Sequence, residues 1–591
     1  MAARLFKGAE YLITEAAKDD VFTPEDFTEE QKQIGETAES FVRDEVAPRE
    51  AELEKHAWDV AAALMRKAGD AGLLMIDVPE SYGGLALDKA TSMLAAEKMG
   101  AGGSFSVSYA AHTGIGTLPL VYYGTEAQKA KYLPKLVSGE WTAAYCLTEP
   151  EAGSDAMGGK ATATLSPDGK HYVLEGTKQF ITNGSFANLF TVFAKIDKKH
   201  FTAFLVERTF PGVSIGHEEK KLGIKGSSTT PVILENALVP VENVLGEIGK
   251  GHKIAFNVLN VGRFKLGAAV TGAAKHAFAT GAAYANARKQ FGVPIARFGA
   301  IGEKLADLTA SLYASESLVY RLAGLIDDRL ATIPKDAPNY YQLYQQGIEE
   351  YAIECAIAKV FCSEVLADVV DEVVQIHGGY GFTQEYPAEK YYRDERINRI
   401  FEGTNEINRL LVPGTILRRA LKGEIPLQKE VMKALDALMT PSFEELPAVP
   451  FAAEKATLAG LKKAFLVVSG AAVQRHGEGM KDEQELLLAL ADVAIQIFAL
   501  ESVVLRAEKL RPSEGDAKRA LALAAVKVQA FAAAEKVASA ARKAAFYAAE
   551  GDTLTMLLAG IRRFTKYDAT GLLEAKRRLA AAALERERYP L

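Results

Sequence analysis

Near Ala143 the hydrophobic pattern of this chain stops repeating at helical spacing and begins to alternate, and near Lys253 it turns back. A period of two belongs to pleated strands and one of about 3.6 to helices, so no single-layer architecture accommodates all three stretches. Before the change, TEEQKQIGETAESFVRDEVAP from Thr28 and VAAALMRKAGDAGLL from Val60 read as amphipathic helices, the first closing at Pro48. Within the alternating stretch, KATATLSPDGKHYVLEG predicts a hairpin turning at Ser166, Pro167, Asp168 and Gly169. LFTVFAKI, HFTAFLVER and TTPVILENALVPVENVLG continue it as strands. Beyond Lys253 four long helical runs suit a bundle.

The expected fold is therefore multidomain α+β. An N-terminal extension (1–27) precedes an α-helical domain (28–142), a middle antiparallel β domain (143–252) and a four-helix bundle (253–421). Residues 422–452, with Pro426, Pro441, Pro447 and Pro450, read as a linker holding one short helix; 453–591 read as an additional helical domain. There Leu486, Leu490, Val493, Ile497, Leu500 and Val504 alternate spacings of four and three, a helix–helix seam.

Length and charge narrow the function. A chain of 591 residues can bury a large cofactor, and a net charge of −7 argues against nucleic acid as the main partner. Three cysteines without a CxxC spacing indicate neither disulfides nor a metal site. No run of about eighteen uncharged apolar residues is present, so no transmembrane helix is expected. The N-terminus, with early acids, does not read as a targeting segment, and a bacterial cytoplasmic protein is expected. Residues 458–473 set Leu461, Phe465 and Val468 against Lys462 and Lys463. They form either an interfacial, peripheral membrane helix or, the favoured reading, a helix packed on its neighbours.

Several stretches carry chemistry. A GxGxxG turn between strand and helix, a P-loop and a GxSxG elbow are all missing, because Gly378, Gly379 and Gly381 in QIHGGYGF follow a helical run. In RINRIFEGTNEINRL, Glu402 stands between apolar Ile400 and Phe401 and the small Gly403. A carboxylate desolvated in this way is a base with a raised pKa; the alternative is a helix start capped by Thr404 with Glu406 in its first turn. AYCLTEPEAGSD offers Thr148, Gly153 and Ser154, which either hold a flavin edge or pyrophosphate or make an ordinary turn. Phe180 and Thr182 in KQFITNG share one face of a strand, where Phe180 either stacks on a flat ring or joins the core. Gly100, Gly102 and Gly103 either end a helix or leave room for a long ligand.

YCLTEPEAGSD, KQFITNG, RKQFGVPIARF, QIHGGYGF and RIFEGTNEI, in this order between about Thr28 and Leu421, resemble the acyl-CoA dehydrogenase family. The long C-terminal helical region is similar to its long- and very-long-chain type. The resemblance implies FAD between the β domain and the bundle. Tyr145, Leu147 and Thr148 would line the flavin, Gly153 and Ser154 approach its phosphates, and Phe180 and Thr182 flank the isoalloxazine. Arg288, Gln290, Phe291, Phe298, Gln375, Gly378 and Gly379 would reach the FAD of a neighbouring subunit, and Thr404, Asn405 and Glu406 would complete the cofactor site. Ser154, Asn260, Arg263, Gly403 and the Gly100, Gly102, Gly103 cluster would meet substrate, with Arg263 either ordering the substrate wall or serving as a structural ion-pair partner. Two departures are Phe180, often Trp in the family, and Gly299, where several relatives carry glutamine.

The implied reaction is α,β-dehydrogenation of long-chain fatty acyl-CoA to trans-2-enoyl-CoA, the first step of fatty acid β-oxidation. Glu402 would take the α-proton while hydride leaves the β-carbon for flavin N5. Some branches place the base before an arginine that matches Arg263; here that position is Gly262, which cannot act as a base. Electron-transfer flavoprotein is the implied electron partner and a homodimer the implied assembly. The alternatives are an acyl-CoA oxidase using dioxygen and a non-catalytic assembly or scaffold protein of the same fold.

Overall fold

The structure is a computed structural model describing residues 4–440, 446–447, 449–511 and 515–591; Pro441 of the expected linker lies outside them. Helices α1 (Glu29–Phe41), α2 (Glu50–Leu53), α3 (Trp58–Asp70), α4 (Lys89–Met99), α5 (Gly103–Ala110), α6 (Leu118–Tyr123) and α7 (Glu126–Val137) come first. The start of α1 is fixed by a reciprocal pair: the Gln31 N–H donates to Thr28 Oγ1 at 3.2 Å and the Thr28 N–H to Gln31 Oε1 at 3.0 Å. Thr125 and Gln128 repeat this capping box at α7, satisfying donors that a helix N-terminus leaves unpaired.

Eight strands follow: β1 (Ala143–Cys146), β2 (Thr162–Leu165), β3 (His171–Thr182), β4 (Leu189–Ile196), β5 (His200–Glu207), β6 (Val213–Ile215), β7 (Thr229–Pro240) and β8 (Val244–Leu245). They form one sheet in the order β6-β7-β3-β2-β4-β5-β8, with β1 beside β4. The sheet is mixed rather than purely antiparallel, since β1 and β2 run parallel to β4. After the β2–β3 hairpin has turned the chain back, β4 is laid along the far side of β2. The register of β3 on β7 breaks between Lys178 and Ile181, and inside that break Phe180 takes a left-handed φ of 58°. A bulge of this kind re-aims a side chain, and Phe180 is turned outward, 61% exposed.

Helices α8 (Gly251–Ala287), α9 (Gly299–Ala331), α11 (Ala352–His377) and α13 (Asn405–Leu421) make the bundle, with α10 (Tyr340–Glu349) and α12 (Ala388–Glu395) between them. Between α8 and α9 a two-strand ribbon, β9 (Lys289–Gln290) and β10 (Val293–Pro294), carries Phe291 at its tip. The terminal helices are α14 (Leu427–Met439), α15 (Ala452–His476), α16 (Gln484–Lys509), α17 (Asp516–Ala548), α18 (Gly551–Phe564) and α19 (Leu572–Arg586). The six seam residues of α16 are all buried, where that helix packs on α17, α13 and α9. By length and composition α15 and α16 could each cross a membrane, contrary to the sequence expectation, but most of each apolar stretch is buried inside the chain. Leu461, Phe465 and Val468 are buried and so is Lys462, whose Nζ binds Glu501 and the Thr14 carbonyl; this face packs on neighbours and is not free for a membrane.

Buried charges join the terminal domain to the rest. Arg506 on α16 pairs with Glu25 of the N-terminal extension at 2.9 Å and with Glu316 on α9 at 2.5 Å. Burial alone would raise both carboxyl pKa values, yet the guanidinium holds each down at about 2. Lys275 on α8 links Glu316 to Glu97 on α4, and the Tyr589 hydroxyl donates to Glu316 at 3.1 Å. Removing one member of such a group strands the others in low dielectric. Arg506→Met is therefore expected to destabilise the protein by roughly 3–5 kcal/mol, measured by chemical denaturation at pH 7. An unchanged midpoint would mean that the network does not hold the domains together.

Candidate active site

Residues Arg396–Arg399 form a short 3-10 turn, and α13 begins at Asn405 with Thr404 as its cap, the Ile407 N–H donating to Thr404 Oγ1 at 3.2 Å. The helix-start reading of this stretch thus describes the local structure correctly, and Glu402 lies just ahead of that start. Glu402 and Gly403 are consecutive left-handed residues, with φ of 57° and 80°. A non-glycine residue held there costs on the order of 1–2 kcal/mol and persists only where its surroundings fix it. Asn408 fixes it from below: its Nδ2 donates to the carbonyls of Gly403 at 2.8 Å and Thr404 at 3.0 Å, and more weakly to that of Glu402 at 3.4 Å. Arg263 on α8 donates through Nε to the Glu402 carbonyl at 3.3 Å, and its NH1 donates to Asn260 Oδ1 at 3.2 Å.

The bend turns the Glu402 carboxyl inward, where Oε2 is shut off from solvent and has no hydrogen-bond partner among the described residues. Desolvation pushes its pKa up to about 7, although the positive charges of Arg263 and Lys359 pull it down. Lys359, buried on α11, is itself lowered to about 7, first by burial, and donates to Asn405 Oδ1 at 2.6 Å. Opposite the carboxyl is Gly262, where an added Cβ would lie 2.3 Å from Oε2. A side chain at 262 would push the carboxyl end of Glu402 aside, and glycine there leaves it in place.

Glu402 and Thr182, the last residue of β3, line one cavity of about 160 Å³. Its floor is a stripe on α8 in which Gly262, Leu266, Ala269, Ala273 and His276 recur at helical spacing. Gly100 and Gly103 border it from the N-terminal domain, but Gly102 does not: its open side faces Val42 and Val46 at ordinary contact distance, away from the cavity. Asn260 and Arg263 are nearly buried behind the wall and act on the Glu402 loop through the backbone. Arg263 is thus a partner of the Glu402 carbonyl rather than half of an ion pair. Asn405 also departs from expectation, for its side chain is buried on Lys359, Ser363 and Glu364 and anchors α13 instead of reaching a ligand.

The remaining candidates fall in two places. Tyr145, Leu147 and Thr148 continue from β1 beside β3, where the Thr148 carbonyl accepts from the Gln179 N–H at 2.9 Å, and Gly153 and Ser154 sit on the exposed loop beyond. Glu149 ties that loop down, accepting from buried Lys178 at 2.6 Å. Thr404 is spent on its cap, and Glu406 is exposed on the first turn of α13. Arg288, Gln290, Gly378 and Gly379 line a separate cleft between the ends of α8 and α11, with Arg288 5.4 Å from the Tyr380 ring centroid. Gly378, at φ 61° and ψ −139°, occupies backbone space that only glycine enters readily. Gln375 is exposed on the last turn of α11, while Phe291 is 93% exposed and meets Phe298 edge-on at 5.9 Å. Sequence reasoning missed Lys359, which acts across space from α11, and also Asn408, which lies within the stretch singled out around Glu402 but whose hold on three carbonyls depends on α13 turning its side chain back onto the bend.

Family models match the chain in order: acyl-CoA dehydrogenase N-terminal domain over 28–140, middle domain over 144–237, C-terminal domain over 249–417, and a further acyl-CoA dehydrogenase C-terminal domain over 460–563. A probable acyl-CoA dehydrogenase of Bacillus subtilis is 48% identical over 588 residues, covering 100% of this chain and 99% of its own. This chain belongs to the acyl-CoA dehydrogenase family. A crystal structure of an acyl-CoA dehydrogenase complexed with FAD from Bacillus anthracis superposes with a TM-score of 0.97 at 50% identity, covering 99% of this chain and 100% of that one. The very long-chain specific mitochondrial acyl-CoA dehydrogenase of Mus musculus is 37% identical over 549 residues, covering 86% of this chain and 78% of its own. Butyryl-CoA dehydrogenase from Megasphaera elsdenii has a TM-score of 0.59 at 35% identity, covering 66% of this chain and 99% of that one.

An acid whose folded pKa of about 7 exceeds its unfolded value stabilises the fold at low pH and loses that contribution as pH rises through 7. Glu402→Gln in this acyl-CoA dehydrogenase is thus expected to raise stability at pH 8 by roughly 1–3 kcal/mol and to change it little at pH 5. Thermal melts at the two pH values check this; a variant less stable at pH 8 would contradict the burial of an unpaired charge.

Proposed function

We propose that this protein is an FAD-dependent acyl-CoA dehydrogenase that converts long-chain fatty acyl-CoA to trans-2-enoyl-CoA as the first step of β-oxidation. The observation that carries the reading is a carboxylate without a partner, Glu402 Oε2, facing a cavity that is apolar beside it and shared with the end of β3. Ionised, it is the base for the thioester α-proton, and its raised pKa makes it stronger than an exposed carboxylate. Among the described residues the Glu402 N–H has no backbone acceptor, which leaves it free to donate to the thioester oxygen as the α-carbon loses its proton. A donor held in place this way is worth roughly 3 kcal/mol.

Bound FAD supplies the acceptor for the hydride equivalent leaving the β-carbon. The residues fit that group: Thr182 lines the cavity, Phe180 stands exposed two positions before it on β3, Tyr145 lies on β1 with Leu147 and Thr148 just after that strand, and Gly153 and Ser154 offer N–H and hydroxyl donors on the loop beyond. Arg263 lies on unbroken α8 and Arg288 directly follows its last residue, roughly 37 Å away along the axis at 1.5 Å per residue. That separation supports giving the cleft of Arg288, Gln290, Gly378 and Gly379, with Gln375, Phe291 and Phe298, to the cofactor of a second subunit, hence a homodimer. Gly403 and Ser154 then border the thioester.

Chain length follows from the α8 stripe. From Gly262 to His276 is about 21 Å along the helix axis, and an extended chain advances about 1.2 Å per bond, so the cavity suits roughly 17 bonds. Electron-transfer flavoprotein takes the electrons in this reading, and burial of the α15 face supports a cytoplasmic enzyme over a membrane-bound one.

Anaerobic palmitoyl-CoA is expected to bleach the FAD of the holoenzyme. Glu402→Gln should slow bleaching by about 10³-fold or more, and the wild-type rate with limiting substrate should climb with pH as Glu402 ionises near 7. Flavin that stays oxidised while bound points to the non-catalytic scaffold; rapid aerobic peroxide formation points to the oxidase.

A further inference from the structure

The cavity is small-sided and apolar for most of its length and polar at its far end. Lys265, which also borders it, is tied to Asp77 at 2.5 Å. One turn beyond Ala273 the character changes: His276 and Tyr391 face the space together, with 3.1 Å between His276 Nε2 and the Tyr391 hydroxyl. Asp394 joins them there. Lys390 binds Asp394 and also approaches Glu50 at 3.1 Å and Glu54 at 3.7 Å, so this end holds three carboxylates around one ammonium. His276 is solvent-exposed, whereas Gly262 at the opposite end of the stripe lies against the base.

A methyl terminus makes no use of such groups, and packing hydrocarbon against them leaves their polar atoms without water. A hydroxyl in the same place can donate to Tyr391 or to a carboxylate and accept from the imidazole. A second carboxylate would enter a region already rich in negative charge. The depth matches: the distal pair lies roughly 17 bonds from the α-carbon position, where the hydroxyl oxygen of an ω-hydroxylated chain of about 18 carbons falls.

Building on the dehydrogenation reading above, we propose that His276 and Tyr391 form a subsite for the ω-terminus, and that long-chain ω-hydroxyacyl-CoA thioesters are substrates of this enzyme. The corresponding ω-carboxyacyl thioesters are not. The step itself is unchanged: Glu402 removes the α-proton, the β-hydride equivalent leaves to the cofactor, and the ω-hydroxyl is retained.

The full-length FAD holoenzyme is assayed for kcat/KM with an artificial dye acceptor on palmitoyl-, ω-hydroxypalmitoyl-, hexadecanedioyl- and octanoyl-CoA. Equilibrium binding is followed through the perturbation of the flavin spectrum. ω-Hydroxypalmitoyl-CoA is expected to exceed palmitoyl-CoA by about threefold to tenfold, as one added hydrogen bond gives, and hexadecanedioyl-CoA to fall about tenfold or more below it. Tyr391→Phe and His276→Phe should remove the hydroxyl advantage while leaving octanoyl-CoA, which does not reach the pair, within about twofold. An ω-hydroxyl that confers no advantage, or one whose advantage survives both substitutions, overturns the subsite. If neither palmitoyl- nor octanoyl-CoA reduces the flavin, the dehydrogenation reading fails separately. The subsite is then judged on binding, where the hydroxyl must still tighten association by about threefold.

Discussion

An acid is kept out of water at Glu402 without a donor to satisfy it, and much of the surrounding structure follows from that. A direct ion pair would lower the carboxyl pKa; the nearest cations act at a remove, with Arg263 holding the loop carbonyl and Lys359 engaged with Asn405. A flexible loop would let the carboxyl swing out to solvent, so Asn408 ties down three successive carbonyls below the bend. The left-handed backbone at 402 and 403 is strain of the kind that accumulates where geometry serves chemistry.

Keeping such a site rigid falls to a scaffold larger than the bundle. Buried apolar residues run continuously from Tyr11 through the bundle to Ala583, and Arg506 makes the N-terminal extension, α9 and α16 share one ionic group. A second connection, Arg409 to Glu364 and Asp492, joins α13, which follows Glu402, to α11 and α16. The terminal domain therefore bears on the placement of α13, though none of its described residues lines the cavity with Glu402.

Local patterns were legible where one residue's chemistry is set by its neighbours in sequence. The change of period at Ala143 coincides with the first residue of β1, and of the two apolar neighbours that singled out Glu402, Phe401 lines the cavity with it whereas Ile400 is 47% exposed. The sequence did not reveal what depends on folding. Asn405 was expected at the cofactor but is drawn into the bundle by Lys359, 46 positions earlier. Gly102 was grouped with its neighbours, yet it faces Val42 and Val46 of the preceding segment and not the cavity. The parallel pairing of β2 with β4 also escaped notice, since alternation reports which face is buried and not the direction of the adjacent strand.

The 2.3 Å separation between Glu402 Oε2 and the point a Cβ would take at Gly262 also bears on tolerance to change. The atom in the way is the far end of a flexible side chain, so a substituent at 262 displaces the carboxyl group and not the backbone. Whatever occupies 262 therefore sets where the acid at 402 points, and glycine is the residue that leaves its direction to the bend alone.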